Sequence, residues 1–199
     1  MIELRHVLSV ISRQLDAQHA GWALVGGLAV SVRTTPRFTQ DIDLAVAVSS
    51  DRDAERLTAD LGHYGFQLKS VVEQEATGRL AVATLSGSSE DDAPVDLLFA
   101  MSGIEFEVVA GAELLEVLPG LSLPVASPGH LIALKVLARD DATRPQHLVD
   151  LQMLLTAANV DDLATATSSL GLIRDRGYDR GKDLLAELEL LRTTFGLRH

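Results

Sequence analysis

Three aspartates stand inside or beside apolar runs of this 199-residue chain: Asp41 and Asp43 in DIDLAVAV, and Asp96 in APVDLLFA. An ionised carboxylate is costly in such surroundings unless it is paired, bound to a metal or at an exposed end. Strand side chains at i and i+2 share a face, so Asp41 and Asp43 are expected to project together. Like charges held that close repel, and a cation that neutralises both is the usual reason to keep them. Three aspartates can hold two divalent ions, Mg²⁺ or Mn²⁺, that align an attacking hydroxyl, an α-phosphate and a pyrophosphate leaving group. Upstream, Gly26-Gly27 offers backbone that a phosphate can approach closely. Arg33 and Arg37 flank the loop before the acids and could grip phosphate by bidentate contacts. Together these residues read as a site for a metal and a nucleoside triphosphate. The plain alternatives stay open: strand-end acids facing water, and loop arginines paired with surface acids.

These residues need elements to hold them. Apolar positions at helical spacing predict a helix over 2–19, ending near Gly21, and strand signals follow at 22–25 and 41–48 around a short helix from Leu28 to Arg33. Ser50–Leu61 reads as a helix with acids in its first turns, stopped by Gly62. FQLKSVV, RLAVATL and VDLLFA read as consecutive strands, separated by EATG and by the polar loop SGSSEDDAP. After Met101, IEFEVV and LSLPVA read as short strands flanking a helix over Ala112–Val117. Beyond Ser127-Pro128, a cap and first-turn pair, helices are expected over 128–139, 145–157, 161–170 and 179–195. A composition shift near 126 divides a mixed α/β part, 1–126, from a helical part, 127–199, so the expected class is α+β.

Composition narrows the function classes. The chain has no cysteine, which excludes a disulfide framework and a thiolate metal site and suits a cytoplasmic setting. Glu3 and Asp16 interrupt the amino-terminal apolar positions, so no signal peptide is expected there, and no segment is both long and uncharged enough to span a bilayer. A formal net charge of −11 argues against a protein that coats DNA nonspecifically, while leaving room for a specific RNA or nucleotide bound by a few placed cations. The six histidines form no metal-ligand spacing and read as surface or helix-end residues. Trp22 reads as a core contact, and the glycines make neither a Walker nor a dinucleotide fingerprint.

Gly26-Gly27, then RFTQDIDL over 37–44, then Val95-Asp96-Leu97, resembles the core signature of the DNA polymerase β-like nucleotidyltransferase superfamily. With HLIALKVLAR over 130–139 and Asp150-Leu151, the chain more closely resembles the AbiEii/AbiGii toxin-like (MenT-like) family, which puts a lysine on one helix and an aspartate on the next. The resemblance implies metal ligation by Asp41 and Asp43, with Asp96 a third member. It also implies that Lys135 contacts the triphosphate or the developing negative charge, and that Asp150 assists or orients within the same pocket. Gln146 and His147 stand where relatives often carry an Arg-Asp pair. On physical grounds a lysine in LIALKVLA either snorkels to water or meets an anion. Asp150 equally suits an ion pair with Arg139, Arg144 or Lys135.

Thr39 precedes Asp41 by two residues and is therefore expected on the same strand face. A phosphate there would place nearly two negative charges beside the acids and obstruct nucleotide binding. The resemblance adds that some such toxins are silenced by phosphorylation in this place. It further implies transfer of a nucleoside monophosphate from an NTP to the 3′ end of tRNA, by the toxin of a toxin–antitoxin pair with a cognate antitoxin. Two other functions remain open: transfer to a small aminoglycoside-like alcohol, and a non-catalytic binding module on the same fold.

Overall fold

The computed structural model describes residues 2–36, 39, 41–75, 77–87, 93–140 and 145–197. Apolar side chains at helical spacing close α1 (Ile2–Ala17), which buries Val7, Leu8, Ile11 and Leu15 in the core. Full burial of such a side chain contributes roughly 1.5–3 kcal/mol. β1 (Gly21–Val25) follows, and its Trp22 is buried, with the indole Nε1–H donating to Asp16 Oδ1 at 2.8 Å. The polar tip is thus satisfied while the ring fills the core.

The chain turns from β1 directly into α2 (Gly26–Arg33) and returns as β2 (Ile42–Ala47). α3 (Asp51–Gly62) starts where the Ser50 hydroxyl accepts from the Asp53 amide, with Asp51 and Asp53 in its first turn. β3 (Gln67–Glu73), β4 (Leu80–Ser86) and β5 (Val95–Leu98) then add one side of a sheet. α4 (Glu105–Ala110), β6 (Glu113–Leu118) and β7 (Leu121–Val125) complete the first part. The helices α5 (Pro128–Ala138), α6 (Gln146–Ala157), α7 (Val160–Asp175) and α8 (Leu184–Thr194) follow. Ser127 caps α5, its hydroxyl accepting from the His130 amide, with Pro128 in the first turn as expected from sequence.

The sheet has seven strands in the order β3-β4-β5-β2-β1-β7-β6. β2 is antiparallel to β1 but parallel to β5, and β1 is parallel to β7, so the sheet is mixed. A mixed sheet followed by helices is an α+β fold. Among the described residues, no helix is long and apolar enough to cross a membrane.

Two expectations fail after Met101: IEFEVV is helix α4 rather than a strand, and 112–117 lies mostly in strand β6 rather than a helix. The alternation of acidic and apolar residues in IEFEVV imitates a strand. The helix starts at Glu105 after an N-cap at Ile104 without a side-chain cap, and buried Glu105 Oε1 reaches back to accept from the Ser102 amide at 2.7 Å and from its hydroxyl at 2.8 Å, which fixes the turn leading into α4. AELLEV has the composition of a helix, but Pro119-Gly120 turns the chain, with Gly120 at φ +73°, and β6 pairs antiparallel with β7. Tertiary pairing overrides local propensity there. The last helix also starts later than expected, at Leu184, and α7 runs on to Asp175. Ser102→Ala removes a hydroxyl that donates to the buried Glu105 carboxylate and is expected to lower unfolding free energy by about 1–2 kcal/mol in a urea titration; an unchanged midpoint would mean that this contact does not stabilise the start of α4.

Candidate active site

The pairing register builds the site. Val25, the last residue of β1, stands opposite Asp43, and on the other side Asp43 is registered with Asp96 of β5. Laterally paired residues project from the same sheet face, and neighbouring strands are about 4.8 Å apart, so the Asp43 and Asp96 carboxylates are adjacent. Immediately after Val25 the backbone enters the left-handed region at Gly26, φ +65°. A Cβ on Gly26 would stand 1.8 Å from Asp43 Oδ2 and 2.7 Å from Asp43 Cβ, so the Asp43 side chain would have to leave its place, and the left-handed backbone adds strain. The Gly27 backbone N–H donates to Asp43. The glycine pair, read from sequence as phosphate-approach backbone, here makes room for a carboxylate and hydrogen-bonds it at the start of α2.

This crowding has an electrostatic consequence. Burial, and next the charge of Asp96, push the Asp43 carboxyl up to about 6; Asp41 adds a smaller push, while Lys135 and the Gly27 amide pull it down. Asp96 carries a buried Oδ1 with no hydrogen-bond partner among the described residues. It is the only acid among such buried, unpartnered atoms, the others being side-chain nitrogens of Gln18, Arg79 and Arg192. A buried carboxylate oxygen without a donor is where a cation fits.

Lys135 reaches the site from α5. It is buried, its Nζ lies 2.7 Å from Oδ2 of the fully buried Asp150 on α6, and its charge is felt by Asp43. The pairing of Lys135 with Asp150 was one of the sequence alternatives. It makes the two residues one unit, an ammonium held by one carboxylate beside two others.

The remaining sequence candidates are either placed differently or fall outside the described residues. Asp41 is exposed and precedes β2, which begins only at Ile42, so the alternation argument does not bind Asp41 or Thr39 to a strand face. Thr39 is half-buried outside regular structure, and Arg37 and Arg144 lie outside the described residues. Arg33 is committed elsewhere: its guanidinium donates to the carbonyls of Ala126 and Val125 at 3.0 and 2.9 Å and pairs with Glu113 at 2.6 Å. It ties α2 to β7 rather than holding phosphate. His130 is buried in the first turn of α5, with Nδ1 2.9 Å from the Ser127 hydroxyl, the helix-end rather than the surface placement.

Among the described residues, no three His, Cys, Asp or Glu side chains converge as a metal group. The arrangement therefore fits a divalent cation through the Asp43/Asp96 pair, with the orphaned Asp96 oxygen supplying the strongest fit and Asp41 at the exposed edge. The raised Asp43 carboxyl sets a sign for stability. An acid whose folded value of about 6 exceeds its ordinary 3.8 holds an extra proton in the folded state, so metal-free stability falls as pH rises from about 4 to about 6. The loss is at most about 3 kcal/mol. Asp43→Asn, measured by thermal melting with a chelator present, is expected to melt above the parent at pH 7.5, with the gap closing near pH 4; a gap independent of pH would refute this account.

The profile of the family described as nucleotidyl transferase AbiEii toxin, type IV toxin–antitoxin system, matches residues 8–196. No curated protein matches the sequence significantly. Among solved structures, an antigenic nucleotidyltransferase-like protein from Paracoccidioides brasiliensis is similar at TM-score 0.56 and 20% identity, covering 94% of this chain and 92% of that one. ANT(2″)-Ia in complex with adenylyl-2″-tobramycin gives TM-score 0.57 at 16% identity, covering 88% and 99%. At these identities the likeness shows the fold, a nucleotidyltransferase fold. Taken with the family match over nearly the whole sequence, the chain belongs to the AbiEii nucleotidyl transferase toxin family and is a nucleotidyltransferase.

Proposed function

We propose that this chain moves a nucleoside monophosphate from an NTP to an acceptor hydroxyl, using the 3′ end of tRNA as acceptor, as the growth-inhibiting toxin partner of a cognate antitoxin in the cytoplasm. The observation that carries the catalytic part is the lateral registration of Asp43 with Asp96 beside Lys135. The tRNA acceptor, the antitoxin and the location follow the family likeness.

In this reading residues 1–126 form the catalytic part and 127–199 the helical region that contributes Lys135 and Asp150. The acceptor oxygen forms a bond to the α-phosphorus as the bond to pyrophosphate breaks, and the acceptor proton passes to a carboxylate of the site or to water. Asp43 and Asp96, with Asp41 at the rim, hold divalent Mg²⁺ or Mn²⁺, which when bound neutralises phosphate charge and orients the reacting oxygens. Lys135 sets positive charge against the triphosphate, and Asp150, 2.7 Å from its Nζ, keeps that side chain aimed. Gly26 and Gly27 hold Asp43 in place, and Arg37 and Thr39 serve the nucleotide side of the site. Phosphorylation of Thr39 would switch the enzyme off by adding charge near Asp41.

A second reading, transfer to a small cationic alcohol, draws support from the ANT(2″)-Ia likeness and from the net charge of −11, which suits a cationic acceptor better than a polyanion. Incubation with Mg²⁺, each labelled NTP, and either total tRNA or an aminoglycoside separates the two. Label is expected on tRNA, and Asp43→Asn or Asp96→Asn is expected to lower incorporation by at least about 100-fold. Label on the aminoglycoside alone would replace the acceptor, and no product with any NTP would overturn the transfer reading. Thr39→Glu is expected to reduce incorporation strongly; full activity would remove the phosphorylation switch.

A further inference from the structure

α5 ends in carbonyls that the helix itself cannot satisfy. Three in succession are held by side chains from two other segments. Lys182, between α7 and α8, donates from Nζ to Leu137 O at 3.1 Å and to Arg139 O at 2.8 Å. His147, in the first turn of α6, places Nδ1 2.9 Å from Ala138 O. A carbonyl only accepts, so Nδ1 carries the proton in this contact. The Lys182 cation also sits where the helix macrodipole is negative.

The clamped end bears on the site because Lys135 lies in the last turn of the same helix. His147 and Asp150 are three residues apart on α6 and so share a face. That face grips α5 twice, through the Ala138 carbonyl and through the Lys135 ammonium. Lys182 fixes α5 from a third direction. Sliding or rotating α5 by a fraction of a turn would break all of these contacts and carry the Lys135 ammonium away from Asp43 and Asp96. A misplacement of about 1 Å can cost 100-fold in rate.

We propose that Lys182, assisted by His147, is a positioning residue for nucleotidyl transfer: it locks the carboxyl end of α5 and thereby sets the Lys135 ammonium against the Asp43/Asp96 pair. This rests on the reading of Lys135 as the triphosphate contact.

A double-mutant cycle distinguishes positioning from plain support of the fold. Lys182→Met, Lys182→Arg and His147→Ala are made in the parent and in Lys135→Met. Each protein is scored for melting temperature, for the Kd of each Mg·NTP by calorimetry, and for kcat and KM of transfer. Lys182→Met is expected to weaken Mg·NTP binding or lower kcat about tenfold in the parent, and less than about twofold in the Lys135→Met background. Lys182→Arg, which retains a cationic donor, is expected to recover activity to within about threefold of the parent. His147→Ala is expected to show the same loss of effect once Lys135 is gone, and it carries the test if Lys182→Met does not fold. Equal effects in both backgrounds, or no effect in the parent, would overturn the proposal while leaving Lys135 in its role. If Lys135→Met alone binds every Mg·NTP and transfers at parental rates, the Lys135 reading falls and this inference with it.

Discussion

The close approach of the Asp43 carboxylate to the backbone of Gly26 is the contact on which the site depends. A Cβ on Gly26 would stand 1.8 Å from a carboxylate oxygen, so the β1–α2 turn and the acid on β2 can be neighbours only because residue 26 is glycine. That closeness lets the Gly27 amide reach Asp43, and the register that follows puts Asp96 beside it on the far side. Two carboxylates are thereby held together at a cost in the metal-free protein, visible in an Asp43 carboxyl raised to about 6. Such a cost is tolerated where a bound cation recovers it.

The second half of the chain answers that negative charge with one buried ammonium. Lys135 is itself paired with Asp150, and a buried pair of this kind contributes little net stability once both partners are desolvated. In the proposed reading its value is orientation: Asp150 holds the ammonium at 2.7 Å, and Lys182 and His147 hold carbonyls at the end of the helix that carries it. The arginines show the opposite use of charge. Arg33 is taken up in joining α2 to β7, and Arg176 reaches Glu107 on α4 at 2.6 Å, so both hold elements together.

Much of the fold was legible because local signals agreed with the final structure. Helical spacing in α1, the acid-rich start of α3, the Ser127 cap, and the apolar strands around Asp43 and Asp96 all read correctly. Reading failed where local pattern and tertiary pairing disagreed. IEFEVV alternates like a strand, yet 105–110 closes as α4, with Glu105 held by Ser102 in the turn before it; AELLEV is helix-like in composition, but pairing with β7 makes it β6. For Arg33 the sequence leaves phosphate and a surface acid equally open; the structure pairs it with Glu113, and nothing local reveals that the carbonyls of Val125 and Ala126 also fold back onto it.

By itself the sequence determined the chemistry available: which carboxylates sit in apolar surroundings, which glycines precede them, and which lysine and aspartate stand on successive helices, because these depend on residue type and short-range spacing. Tertiary structure decided which of those residues meet. It registered Asp43 with Asp96, residues far apart in the chain, and left Asp41 at the exposed start of β2. It paired Lys135 with Asp150, and it brought Lys182 onto the end of α5. Strand register and helix packing are set by long-range burial and hydrogen bonding, which no local spacing encodes.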